Sequence, residues 1–224
     1  MALEIKKASE IQAAKEFFII VYGDTGVGKT TSAAMLKDAL IIVTEMNGLK
    51  SIQAANPDAQ TLLVTSYEEL REAFKIAKDE IGLAEKEGRK PRWKWLVLDS
   101  FTDAQQMLKR DILDAGDKNR VTMTQPEWGI IADRSYQLNK NFRDLKGINR
   151  LIISQLMTTE VTSPSGEVYN VRAPALIGKS FGINSFVGMA DICGMLYKGV
   201  VKDKGGKVVQ SGTFVQLVGA ETTL

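Results

Sequence analysis

Residues 17 to 31 read Phe-Phe-Ile-Ile-Val-Tyr-Gly-Asp-Thr-Gly-Val-Gly-Lys-Thr-Thr. The apolar run Phe17 to Tyr22 has no polar alternation, which is the pattern of a strand covered on both faces. It leads directly into Gly23-Asp24-Thr25-Gly26-Val27-Gly28-Lys29-Thr30, a complete G-x-x-x-x-G-K-[ST] loop, with Thr31 behind it. In such a loop the glycines let successive backbone N–H groups turn inward around phosphate. The lysine ammonium, here Lys29, reaches the terminal phosphate oxygens, and the Thr30 hydroxyl completes a Mg²⁺ shell. Lys29 to Leu40 contains neither glycine nor proline and spaces Ala33, Ala34, Leu36 and Leu40 near a helical period. The expected helix aims its positive N-terminal end at the same anion.

The rest of the chain repeats this alternation. Ala39 to Thr44 reads as a second buried strand ending on Glu45, with a turn expected at Met46-Asn47-Gly48. Thr61 to Thr65 is a short strand, and Ser66 with Glu69 forms a capping box for a helix over Tyr67 to Lys86. Trp93 to Asp99 is an apolar strand that stops on an acid, and Phe101 to Ala115 is helical. Thr124 with Glu127 opens a helix over Trp128 to Leu145, and Arg150 to Leu156 is a strand. Thr158 to Pro174, with Ser-Pro-Ser-Gly at its centre, reads as a hairpin or flap, followed by a helical patch near Ser180 to Met189. Ile192 to Tyr197, Val200 to Lys202 and Thr213 to Val218 read as strands, with Lys204-Gly205-Gly206 turning between the last two. Strands alternating with helices imply an α/β fold: a mostly parallel twisted sheet flanked by helices, with right-handed crossovers and an antiparallel C-terminal hairpin. One domain over residues 1–224 is expected, with 1–16 as an N-terminal extension.

Composition narrows the chemistry. The 29 basic and 27 acidic residues leave a net charge of only +2, so a polyanionic partner would need a local patch. There is no histidine, which removes imidazole acid–base catalysis and leaves carboxylates, lysine and a metal. The single cysteine, Cys193, has the apolar neighbours Ile192, Gly194 and Met195 and reads as a buried thiol suited to a reducing cytoplasm. No apolar run approaches a membrane span, and no membrane partner is expected.

Eight further positions carry candidate chemistry. Asp99 ends Leu96-Val97-Leu98 and fits the acid of the second phosphate-loop signature, which organises water on Mg²⁺; a strand-terminal acid also caps helices, and Ser100 is an equal candidate for that cap. Glu45 ends another strand, where it would polarise an attacking water or simply remain a solvated acid. Gln155 ends a third and offers both donor and acceptor to a γ-phosphate or its water; the alternative there is a turn residue. Lys179 and Lys198 are candidate cations for a neighbouring subunit's nucleotide, against the plainer reading as surface lysines. Lys118 and Arg120 in one polar loop, and Arg172 and Lys179 bounding the other, either track a phosphodiester backbone or are solvated loop charges.

The order of these motifs resembles the RecA-like P-loop ATPase core: the glycine loop at 23 to 30, Val43-Thr44-Glu45, Val97-Leu98-Asp99-Ser100, and Ile152-Ile153-Ser154-Gln155-Leu156. More narrowly, the chain is similar to compact phage-encoded nucleotide-binding ATPases related to phage RecA-type recombinases, from about Phe17 to Val218. The resemblance implies ATP and Mg²⁺ as cofactors, with Lys29 and Thr30 on phosphate and metal. Asp99 then matches the second-signature acid, Glu45 the catalytic glutamate, and Gln155 the sensor. It also implies DNA contacts from segments 111 to 124 and 157 to 178. The implied partners are single-stranded DNA, further copies of the chain as an oligomer or filament, and a single-strand DNA-binding or annealing protein. Two functions from different classes follow: an ATP-hydrolysing protein of DNA recombination, repair or replication, and a nucleotide-gated protein-binding module with little or no hydrolysis. A GTPase is disfavoured because Asn139-Lys140-Asn141-Phe142 breaks the guanine-reading pattern at its acid. A small-molecule kinase is disfavoured because the flap holds only Arg172.

Overall fold

The computed structural model describes residues 16–115, 120–178, 181–202, 206 and 208–217. In chain order the elements are β1 (Phe18–Gly23), α1 (Lys29–Ala34), β2 (Ala39–Val43), α2 (Met46–Ala55), β3 (Gln60–Leu63), α3 (Tyr67–Lys86) and β4 (Trp95–Asp99). They continue as α4 (Phe101–Asp114), α5 (Gln125–Asp144), β5 (Asn149–Thr162), β6 (Val168–Pro174), α6 (Ile183–Val187), β7 (Ile192–Lys202) and β8 (Val208–Leu217). The sheet order is β3-β2-β4-β5-β1-β7-β8, with β6 added to the far half of β5. Strands β3 through β7 along that path pair parallel, whereas β6 on β5 and β8 on β7 are antiparallel.

Continuous apolar runs are needed because successive residues of a central strand bury on opposite faces. On β2, Leu40 and Ile42 join Phe18, Ile20, Leu96, Leu98 and Ile152 beneath α3, α4, α5 and α6. Ala39, Ile41 and Val43 point the other way, onto Val97 and Ile153 with Ala33 and Ala34 of α1 and Ile52 of α2. The larger core is pinned by Phe101, whose ring lies 4.5 Å from that of Phe186 and 6.0 Å from that of Phe181.

The helix expected over Lys29 to Leu40 stops at Ala34. Asp38 takes a left-handed backbone, with φ 56°, and its carbonyl accepts from Lys94 N and Trp95 N, which turns the chain straight into β2. The turn expected at Met46 to Gly48 is the first turn of α2. Gly48 is buried there, and a Cβ on it would meet Val43 Cγ1 at 3.1 Å, so this glycine permits close helix-to-strand packing rather than a reversal. Helix α5 begins at Gln125, with Pro126 in its first turn and Glu127 Oε2 accepting from Thr124 N at 2.7 Å. β7 runs through where two strands were expected, and β8 begins at Val208 rather than Thr213, because the two pair from Gly194 opposite Leu217 to Lys202 opposite Val208, with one register shift between Val201 and Lys202. Of the expected turn, Lys204 and Gly205 lie outside the described residues, as does most of the N-terminal extension.

Candidate functional site

The strand register brings the predicted site residues to one edge. Gly23 pairs with Gln155, Asp99 with Ile153, and Val43 with Asp99, so the carboxyl ends of β1, β4 and β2 are level with Gln155. In an open α/β sheet this edge is where ligands bind. Gln155 does not end its strand as expected, because β5 runs on to Thr162 to pair with β6.

Between β1 and α1 the chain forms the loop itself. Gly26 and Gly28 have φ of 77° and 96°, backbone that side-chain-bearing residues rarely adopt, and Gly28 is the N-cap of α1. Asp24, Thr25, Gly26 and Thr31 are exposed, while Gly23 and Val27 are buried. The Lys29 ammonium folds over its own loop and donates to Gly23 O at 2.7 Å and Asp24 O at 2.8 Å. Desolvation holds the Lys29 pKa below the usual lysine value, against the opposing pull of Asp99, Asp24 and Glu45.

Thr30 Oγ1 donates to Asp99 Oδ2 at 2.5 Å. Burial pushes the Asp99 carboxyl above the ordinary carboxylate range; the Thr30 hydrogen bond and Lys29 oppose that shift, and Glu45 and Asp103 add to it. The Asp99–Ser100 peptide is cis. Ser100 is the N-cap of α4 and accepts from Asp103 N at 3.2 Å. Asp99 thus faces the loop while the neighbouring serine caps the helix.

Glu45 is exposed at the N-terminus of α2, bordering a cavity of about 730 Å³ that also meets Thr44, Tyr67, Asp103 and Arg120. Gln155 is half-buried; its N–H donates to Thr102 Oγ1 at 3.1 Å and its carbonyl accepts from Ala175 N at 2.8 Å. The Thr102 hydroxyl also donates to Ala175 O at 3.0 Å, so the first turn of α4 grips both the Gln155 strand and the return of the β5–β6 hairpin. Sequence reading passed over Thr44, Thr102 and Thr213. Single hydroxyls have no period, and their partners are remote in the chain.

Thr213 Oγ1 donates to Val27 O at 2.8 Å, seating the β7–β8 hairpin on the glycine loop. Lys198 is exposed and directly opposite Thr213, so it lies on the loop-facing side of that hairpin. Arg172 is exposed on β6 opposite Thr158. Arg120 is half-buried and paired with Glu127, so its guanidinium is already engaged. Lys118 and Lys179 lie outside the described residues.

Among the described residues no group of three or more His, Cys, Asp or Glu side chains stands together to hold a metal unaided. The Thr30 hydroxyl and Asp99 carboxylate are hard oxygen donors, which suits Mg²⁺ shared with phosphate and water rather than a closed protein cage.

The sequence matches the family model described as AAA domain over residues 15–215. The chain belongs to the AAA domain family. No curated protein matches the sequence. Among solved structures, this AAA domain is similar to a prototypical ATPase from the type III secretion system of pathogenic bacteria, with a TM-score of 0.51 and 15% sequence identity. That likeness covers 81% of this chain and 52% of the other, so the AAA domain spans about half the length of that protein. At this identity the likeness concerns the fold alone, a mostly parallel sheet flanked by helices with the glycine loop at its carboxyl edge. No helix among the described residues is long and apolar enough to cross a membrane.

Proposed function

We propose that this AAA domain binds ATP with Mg²⁺ and hydrolyses it. The observation that carries the reading is the 2.5 Å contact between Thr30 and Asp99, made at the sheet edge where Lys29, Glu45 and Gln155 also lie. Lys29, released from the two loop carbonyls, pairs with the terminal phosphates, and backbone N–H groups of residues 24 to 31 line the phosphate cradle. Thr30 and Asp99 would hold Mg²⁺, which when bound neutralises charge developing on the phosphate oxygens. Glu45 orients the attacking water, and Gln155 reads the γ-phosphate and passes its presence to the β5–β6 hairpin through the joint at Thr102 and Ala175.

The finer reading is a RecA-like role in phage DNA recombination, repair or replication, exercised in the cytoplasm by an oligomer on single-stranded DNA. The motif order of the resemblance supports it, as does the exposed Arg172 on the hairpin; a single-strand DNA-binding or annealing protein is the matching partner. Lys198 or Lys179 then serves as the cation offered to a neighbouring nucleotide. The pairing of Arg120 with Glu127 favours a second reading, a nucleotide-gated module whose hairpin meets a protein, since it removes a cation from the segment that would touch DNA.

ATP turnover measured with and without single-stranded DNA across a salt series separates the two. The DNA reading predicts a stimulated rate that falls with salt, together with assembly on ATP and DNA seen by light scattering. Turnover indifferent to DNA supports the protein-binding reading, and no turnover in the wild type while Mg²⁺–ATP binds overturns hydrolysis itself.

A further inference from the structure

We infer that Thr44 is a positioning residue that sets the separation of the Glu45 and Asp99 carboxylates. This rests on the reading of Glu45 as the residue that orients water. Thr44 is 7% exposed and occupies the turn between β2 and Glu45. Its N–H donates to Asp99 O at 2.8 Å, continuing the β2–β4 ladder one residue past the strand ends. Its hydroxyl oxygen lies 3.0 Å from the same carbonyl and 3.3 Å from Asp103 Oδ2, and accepts from Ser100 N at 2.8 Å.

A hydroxyl has one proton and two lone pairs. The proton goes to Asp99 O or the Asp103 carboxylate, and a lone pair takes the Ser100 N–H. Ser100 is 4% exposed, so that N–H depends on a protein acceptor. Thr44 therefore holds both sides of the peptide joining Asp99 to Ser100, while its own next residue is Glu45. Asp103 ties the same point to the first turn of α4, since its carboxylate also bonds the Ser100 hydroxyl. Only one residue in the chain is covalently joined to Glu45 on its N-terminal side, and that residue grips the backbone from which the Asp99 carboxylate hangs. Misplacement of a reacting group by about 1 Å costs roughly 10²-fold in rate, so loss of this grip acts on turnover. The glycine loop is on β1 and α1, outside the joint, so nucleotide affinity measured without Mg²⁺, where Asp99 has no metal to hold, should be spared.

The test compares Thr44→Val, Thr44→Ser and Thr44→Val combined with Glu45→Gln, measuring fluorescent-nucleotide binding and single-turnover phosphate release from Mg²⁺–ATP. Thr44→Val, close in shape but without the hydroxyl, should bind nucleotide in EDTA within about 3-fold of wild type and, at matched occupancy with Mg²⁺–ATP, release phosphate about 10² times more slowly. Thr44→Ser should restore release to within about 3-fold, and Thr44→Val should add little to the loss already caused by Glu45→Gln. Wild-type release by Thr44→Val, an equal loss in Thr44→Ser, or full additivity with Glu45→Gln overturns the inference. Should Thr44→Val not fold, the serine variant decides, because retained release is required of it. Normal release by Glu45→Gln alone instead overturns the reading on which the inference rests, and a slow Glu45→Gln beside a fast Thr44→Val overturns only the role of Thr44.

Discussion

Thr30 and Asp99 meet at 2.5 Å although their strands are not neighbours: β5 lies between β1, which feeds the glycine loop, and β4, which ends on Asp99. Bridging that gap places a hydroxyl and a carboxylate as paired hard donors at the mouth of the loop. Both should therefore matter more for the metal-bound nucleotide than for the nucleotide alone. Thr30→Ala and Asp99→Asn are each expected to weaken Mg²⁺–ATP about 10- to 100-fold, with a smaller effect when EDTA is present. Calorimetric titration with and without Mg²⁺ checks this; equal losses in both conditions would contradict it.

Asp99 also gives the protein a pH signature. Burial raises its folded pKa above that of the unfolded chain, so the folded state holds that proton more tightly. The resulting stabilisation is complete below the ordinary carboxylate range and is lost as pH rises through the folded pKa, above which a buried charge is carried. Asp99→Asn, which still offers Thr30 an acceptor, should raise the Tm of the nucleotide-free protein at about pH 8, with the gain shrinking towards about pH 4. Thermal melts across that range test the sign. A Tm lowered at the alkaline end would contradict it.

The core beneath α4 has a mechanical consequence. Phe101 is fully buried and adjoins Ser100 and Asp99, with its ring against Phe181 and Phe186. Phe101→Ala should cost about 3–5 kcal/mol in urea unfolding, because the space it leaves is walled by elements from distant parts of the chain. A loss below about 1 kcal/mol would show that the site can collapse and that this contact is not what holds α4 on the sheet.

Much of this architecture is legible in the sequence because the physics is local. An unbroken apolar run, a glycine loop and a glycine-free stretch specify β1, the loop and the start of α1, and the runs ending at Thr44 and Asp99 set out the edge, whereas β5 runs on past Gln155 to Thr162 because β6 pairs with it. What was hidden depends on contacts across the chain. Gly48 resembles a turn residue until Val43 is seen 3.1 Å from where its Cβ would be, and the spacing of Leu49, Ile52 and Ala55 was the one signal for α2. Likewise the hydroxyl of Thr44 acquires its partners 55 and 56 residues away, a relation no pattern along the chain encodes.

On the proposed reading Gln155 relays the γ-phosphate to the β5–β6 hairpin, so its loss should separate binding from signalling. Trypsin cleavage at Arg172, exposed on β6, is expected to change in rate when wild-type protein binds a non-hydrolysable ATP analogue. In Gln155→Ala the analogue should bind within about 5-fold yet leave that cleavage rate unchanged. A nucleotide response as large as that of wild type would remove Gln155 from the pathway.

Single-turnover phosphate release at matched nucleotide occupancy decides whether the carboxyl edge around residues 23–31, Glu45 and Asp99 hydrolyses ATP. Glu45→Gln should hold Mg²⁺–ATP within a few-fold of wild type and release phosphate about 10²- to 10⁴-fold more slowly, whereas Lys29→Ala should fail to hold the nucleotide. Equal release rates for wild type and Glu45→Gln, or tight binding and full turnover by Lys29→Ala, would show that ATP is not hydrolysed in this way at this edge.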